Sequence, residues 1–165
     1  IDIVKIMKKE YPLIRLHIVG TGPMEELLKE KVVNENLDSF IKIHGRVSDE
    51  KLNSLYLENN IFILAHRMLE NGDTEGSPTT FAEAGMYRLP AIGGINSGAA
   101  TIIDHKKTGY VIDMKDKYQI ISTIKNLFDN HTLIKEMGDA AYEKITKYHS
   151  PKVLAEKVTK ILISL

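Results

Sequence analysis

The feature that most restricts how this chain folds is an alternation of short apolar runs with longer segments of helical period. Residues 13–19, 40–44, 61–65, 90–93 and 109–112 are brief and mostly apolar, with β-branched residues frequent. Such runs read as strands, and the amphipathic stretches between them as helices. Strands that alternate with helices pair in parallel through right-handed crossovers. The expected architecture is therefore a single Rossmann-like, three-layer α/β/α domain over residues 1–165, built on a parallel sheet.

Local signals place the elements. Ile3, Val4, Ile6 and Met7 share a helical face opposite Lys5, Lys8 and Lys9, and Tyr11-Pro12 ends that helix. Gly20-Thr21-Gly22-Pro23 follows the first strand, with Pro23 expected at the first position of a helix running to about Asn36. Ser48 is the expected cap of a helix whose buried side is Leu52, Leu55, Tyr56 and Leu57. The run 61–65 is apolar throughout, as in a strand covered on both faces. Further helices are expected over about 78–87, 117–129, 131–147 and 151–164, the last opened by Ser150-Pro151.

Composition narrows the partners. With 165 residues the chain can bury roughly two-thirds of its unfolded surface. Lys plus Arg and Asp plus Glu both number 22, so no global field selects nucleic acid, and none is expected as a partner. Cysteine is absent, which removes disulfides and thiolate zinc sites and leans toward a reducing compartment. No apolar run reaches the ~20 residues that cross a bilayer. The first residues read as the inside of a helix, without Met or a signal pattern. The expectation is a cytoplasmic chain cut from something larger.

Ligands of open α/β sheets sit outside the carboxyl ends of the strands. The loops to inspect are therefore 20–23, 44–48, 66–77 and 93–98. In the third of these, Glu75-Gly76-Ser77-Pro78-Thr79-Thr80 leads into a helix that carries Glu83. Ser77 is a cap and Pro78 a first helical residue. The N–H groups of Thr79 and Thr80 would then be unpaired at the positive end of the helix dipole, a ready phosphate site. A carboxylate accepts bonds from two adjacent hydroxyls, so Glu75 and Glu83 suit a sugar on either side of that phosphate. Spacing alone admits, and slightly favours, a plain cap at Ser77 with both glutamates solvated.

The run ENGDTEGSPTTFAEAGMYRLPAIGG resembles the signature of the family four glycosyltransferases, enzymes of the two-domain GT-B fold. Their Glu-x7-Glu pair corresponds to Glu75 and Glu83, and their G-x-P-V tail to Arg88-Leu89-Pro90-Ala91. Glu70-Asn71-Gly72-Asp73 is similar to a branch with bacterial mannosyltransferases acting on lipid or polysaccharide acceptors. Val19-Gly20-Thr21-Gly22-Pro23, His44-Gly45-Arg46-Val47-Ser48 and Thr108-Gly109 agree in order and spacing. The resemblance implies that the chain is the C-terminal, donor-binding half of such an enzyme. Glu75 would hold donor-sugar hydroxyls and is the residue assigned to catalysis, and Glu83 would hold the ribose. Gly76, Ser77 and Pro78 form the turn, and the backbone of Thr79 and Thr80 binds the diphosphate. Arg46, Val47 and Asp49 belong to the base pocket. It implies a GDP- or UDP-linked hexose donor, retention of configuration, no cofactor and no bound metal. The acceptor, a glycan or a lipid-linked glycan, would be held by an N-terminal domain outside the chain, and the enzyme would act in the cytoplasm, peripheral at the inner membrane face.

Several residues depart from that pattern or compete with it. Pro78 stands where many members have glycine, and Thr101 where they have an acid. The diphosphate-clamping Arg and Lys of the family lie upstream of the present Ile1, so the chain alone is expected to bind a donor weakly and turn over little. Gly20, Gly22, His44 and Arg67 are further candidates, because each lies in or beside a loop at the ligand edge. Gly20-Thr21-Gly22-Pro23 lacks the third glycine and later acid of a dinucleotide fingerprint. His17, inside a strand, reads as an ordinary core or surface histidine. The last helix sets Val153, Leu154, Val158, Ile161 and Leu162 against Lys152, Lys157 and Lys160, for packing or membrane-surface contact. Two other activities fit the same landmarks: half of a GT-B sugar-nucleotide epimerase, and a non-enzymatic Rossmann-like binding module.

Overall fold

The computed structural model describes residues 1–65 and 79–149, with the isolated positions 153, 155, 159 and 163. The chain divides into two compact units, Ile1–Glu58 and Asn59–Leu165.

The first unit runs α1 (Asp2–Met7), β1 (Leu16–Val19), α2 (Glu25–Asn34), β2 (Ile41–Gly45) and α3 (Asp49–Glu58). β1 and β2 are parallel, with Leu16, His17 and Ile18 opposite Ile41, Lys42 and Ile43. The register then slips, so that Val19 faces Gly45 and His44 is the extra residue of a bulge. Val4, Met7, Val32, Leu37 and Ile41 are buried. α2 is closed by Asn36 at φ 53°, two residues past its end, where the amide of Leu37 donates to Val32 and that of Asn36 to Val33. This is a Schellman ending, and asparagine tolerates its left-handed residue better than most.

The second unit runs β3 (Phe62–Leu64), α4 (Thr79–Met86), β4 (Ala91–Gly94), α5 (Ala99–Ile102), β5 (Gly109–Ile112), α6 (Lys117–Phe128) and α7 (His131–Tyr148). β4 lies between β3 and β5, parallel to both. All of β4 is buried, as expected of a central strand between parallel neighbours. Phe81 of α4, Ala91, Ala99, Ile102, Ile103 and Ile145 form its core, and the Phe62 and Phe81 rings meet edge to face at 5.8 Å. Asp116 and Asn130 cap α6 and α7 through their side chains. The described strands are parallel and joined through helices, so the chain is of the α/β, Rossmann-like class.

Several local expectations are corrected. β1 starts at Leu16, because Pro12 turns the chain and the amide of Ile14 donates to Tyr11; Leu13 is 84% exposed. Pro23 precedes α2, whose cap is Met24 without a side-chain bond. Ile6 and Leu57 are exposed, whereas Val4, Met7, Leu55 and Tyr56 are buried. At 100° per residue Ile6 points away from Val4, and Leu57 turns off the stripe that Leu55 and Tyr56 share. β3 is half-buried along its length and not sealed on both faces. α5 was not expected, since its four residues offer too short a period to read.

Candidate functional site

Thr79, Thr80 and Glu83 lie in the first turns of α4, at the point where the described chain resumes after β3. In a helix that opens at Thr79, the first amides have no intrahelical carbonyl, and the dipole leaves them partially positive. The hydroxyl of Thr79 reaches Glu83 Oε1 at 3.5 Å, a long contact between two exposed side chains. The hydroxyl of Thr80 is shielded from solvent and has no hydrogen-bond partner among the described residues. A buried hydroxyl without a described partner in the first turn of a helix suits an anion carrying several acceptor oxygens, which the first amides of a helix also favour. Glu75, Gly76, Ser77 and Pro78, and with them His66 and Arg67, lie outside the described residues.

Packing holds this helix end in place. Phe81 is 2% exposed and sits over β4, where a Cβ at Gly93 would approach its ring to 2.8 Å. On the other side α4 meets α7 through two glycines. A Cβ at Gly85 would come within 2.7 Å of Ile145, and one at Gly138 would fall on the carbonyl of Arg88. Such close approach leaves α4 little freedom to slide, so its first turn is presented by a rigid support. Sequence reading did not single out Arg88 as a structural residue. It occupies the left-handed position that ends α4, at φ 57°, where the resembled pattern has glycine. Its side chain pairs with Asp139 at 2.6 Å and covers the Tyr142 ring at 4.1 Å.

The other sequence candidates belong to the first unit. Gly20, at φ 117°, and Gly22 form the turn after β1, and nothing lies within 4 Å of a Cβ built on either. Arg46, Val47 and Asp49 follow β2, with Arg46 and Asp49 exposed and Val47 half-buried. Gly45 turns the chain there with φ 63°, and its carbonyl accepts from the Gly20 amide at 2.8 Å. The two strand-end turns are thus tied to each other. Ser48 caps α3 as expected, accepting from the Lys51 amide at 3.3 Å.

His44 has a partner that sequence reading did not pair with it. His17 Nδ1 lies 2.8 Å from His44 Nε2, and the ring centroids are 5.1 Å apart. Burial pushes the pKa of both imidazoles down; for His44 the neighbouring His17 adds to this, while for His17 the Glu58 carboxylate works against it. A signal was present, since the two histidines lie on consecutive strands, His17 inside β1 and His44 near the carboxyl end of β2. Only strand register shows that they share a face. Among the described residues no group of three or more acidic or histidine side chains is arranged to hold a metal ion. Nor is any described helix long and apolar enough to cross a membrane. Of the expected last helix, positions 153, 155, 159 and 163 are helical, and Ile163 is 81% exposed.

Known proteins supply an independent comparison. The chain is 24% identical over 162 residues to the amylovoran biosynthesis glycosyltransferase AmsK of Erwinia amylovora, covering 98% of this chain and 40% of that protein. It is 28% identical over 148 residues to a GDP-mannose-dependent phosphatidylinositol monomannoside mannosyltransferase of Mycobacterium tuberculosis, covering 89% of this chain and 38% of that one. The chain therefore spans about two-fifths of the length of these relatives. Among solved structures, TarM of S. aureus superposes with a TM-score of 0.79 at 19% identity, over 96% of this chain and 31% of that one. The C-terminal domain of LpcC, a glycosyl transferase group 1 family protein of Francisella tularensis, superposes with a TM-score of 0.76 at 20% identity, over 91% of this chain and 77% of that one. These likenesses place the fold among GT-B glycosyltransferase structures. The family model of the glycosyl transferases group 1 matches residues 1–144, and the chain belongs to that family.

Proposed function

We propose that this chain is the nucleotide-sugar-binding part of a retaining glycosyltransferase that moves a hexose from a GDP- or UDP-linked donor to a polysaccharide or glycolipid acceptor. The observation that carries the reading is the first turn of α4, held rigidly against β4 and α7 with the shielded, unpartnered hydroxyl of Thr80 beside its opening amides. The amides of Thr79 and Thr80 bind the diphosphate, and as the glycosidic bond breaks the helix dipole stabilises the charge that develops on it. Glu83 holds the ribose, Glu75 holds the hexose, and Arg46, Val47 and Asp49 contact the base. The relatives described above are named for polysaccharide and glycolipid synthesis, which supports transfer as the activity. No metal or cofactor enters this scheme, because amides and the dipole take the place of a cation at the leaving group. Acceptor binding belongs to a second domain of the enzyme, and a peripheral membrane position at the cytoplasmic face fits a lipid-linked acceptor.

Calorimetric titration of the chain with UDP-glucose and GDP-mannose tests the reading. Saturable binding of one of the two is expected, with a preference that identifies the base. If both are ignored at millimolar concentration, donor binding is wrong for this chain.

A further inference from the structure

The pairing of His17 with His44 has no role in the scheme above, and its position gives it one. His44 is the extra residue of the β2 bulge, and bulges re-aim side chains next to functional loops. The bulge turns the His44 ring back onto β1, where His17 meets it at 2.8 Å. One residue later Gly45 takes φ 63° and accepts the Gly20 amide. Arg46 and Val47 follow directly. The path from the bulge to these residues has two anchors, one through backbone atoms to Gly20, just past β1, and one through the imidazoles to His17 in β1.

An N-to-N hydrogen bond needs one proton between the two nitrogens. A neutral pair has it in either tautomeric arrangement, and a singly protonated pair keeps it. Doubly protonated rings aim two N–H groups at each other and lose the bond. The charged groups around the pair set this balance. Lys42, on β2, and Lys51, on α3, disfavour the second proton, and Glu58, at the end of α3, favours one on His17. Two protonation steps then belong to the pair and not to either ring.

We propose that His17 is a positioning residue for the base-binding loop, holding His44 through one shared proton, so that sugar-nucleotide affinity falls when acid charges both rings. The inference rests on the assignment of Arg46 and Val47 to the base.

Sugar nucleotides are the right probes, because each of their phosphates carries one ester and the shared anhydride and so lacks the second phosphate ionisation near pH 6. UDP-glucose and GDP-mannose affinities would be measured from about pH 7.5 to about pH 4.5, because burial and mutual repulsion push the second imidazole charge below the ordinary imidazole span. Imidazole nitrogens and the Arg46 and Val47 amides would be followed by NMR over the same range. The wild-type chain should show two coupled imidazole steps, a matching shift of both amides and a loss of affinity in acid. His17→Gln, which can still bond to His44 but does not titrate, should keep the neutral-pH affinity and flatten the acid loss. His17→Leu should weaken binding already at neutral pH, by about fivefold for one lost hydrogen bond. Independent titration of the two rings, or an acid loss that survives in His17→Gln, overturns the proposal. If neither sugar nucleotide binds at any pH, the donor assignment fails. The Arg46 and Val47 amides then judge the pair alone: unmoved by imidazole titration, they show that it positions nothing.

Discussion

The carbonyl of Arg88 fills the space that a side chain at Gly138 would need, so α7 passes the end of α4 at backbone contact. Arg88 is at once the left-handed residue that stops α4 and, through Asp139 and Tyr142, a tie to the helix it touches. The first turn of α4, where the diphosphate is proposed to bind, is about two turns away and is held by this contact.

Gly138→Ala should destabilise the chain by about 1–3 kcal/mol, the range for a group forced into a packed contact with backbone. Alanine is the better helix former by about 1 kcal/mol, so a stabilised variant would mean that α7 can shift away from Arg88. Urea denaturation followed by circular dichroism measures the sign directly.

Arg88→Gly and Arg88→Ala both delete the pair with Asp139 and the cover over Tyr142. They differ in the backbone, where alanine keeps a Cβ in a left-handed residue at a cost of about 1–2 kcal/mol and glycine does not. Arg88→Gly should therefore be the more stable of the two by about 1 kcal/mol. Equal stabilities would show that the turn at 88 reorganises once the side chain is gone. Only the side-chain part of the wild-type advantage should shrink in high salt, because both partners are exposed.

Glu83→Gln should weaken both the sugar nucleotide and the bare nucleoside diphosphate, by about tenfold if a charged hydrogen bond to the ribose is lost. Glu75→Gln should weaken only the sugar nucleotide. Equal losses for the two ligands in Glu75→Gln would remove its assignment to the hexose. Calorimetry with UDP, GDP and their sugars separates the cases.

Stability should fall in mild acid. Both imidazoles in the folded chain hold their protons less tightly than the ordinary 6.5. Below that value the unfolded chain binds more protons than the folded one, so unfolding is favoured as pH drops. The contribution is fully present above pH 6.5 and is lost as pH falls towards the folded values. Thermal melts across this range should be flatter for His17→Gln than for wild type. Parallel slopes would mean that other groups set the acid limit.

Local chemistry was legible in the residues themselves. β-branched runs between helical periods marked the strands to within a few residues, and β5 was read at its observed bounds. Ser48, Gly20 and Gly45 announced turns, because caps and left-handed residues depend on chemistry within a few positions. Thr79, Thr80 and Glu83 could be placed at a helix start for the same reason, and the spaced landmarks carried the family. Long-range register was not legible. The β2 bulge that sets His44 against His17 depends on how two strands pair, and a slip of one residue moves a side chain to the other face. The contact of Gly138 with Arg88 spans 50 residues of sequence, and nothing near either residue announces it. Sequence by itself determined most of the elements, the fold class and the family, since these rest on neighbours along the chain. Tertiary structure alone decided which histidines meet and what holds α4 in place, since both rest on backbones brought together across the fold.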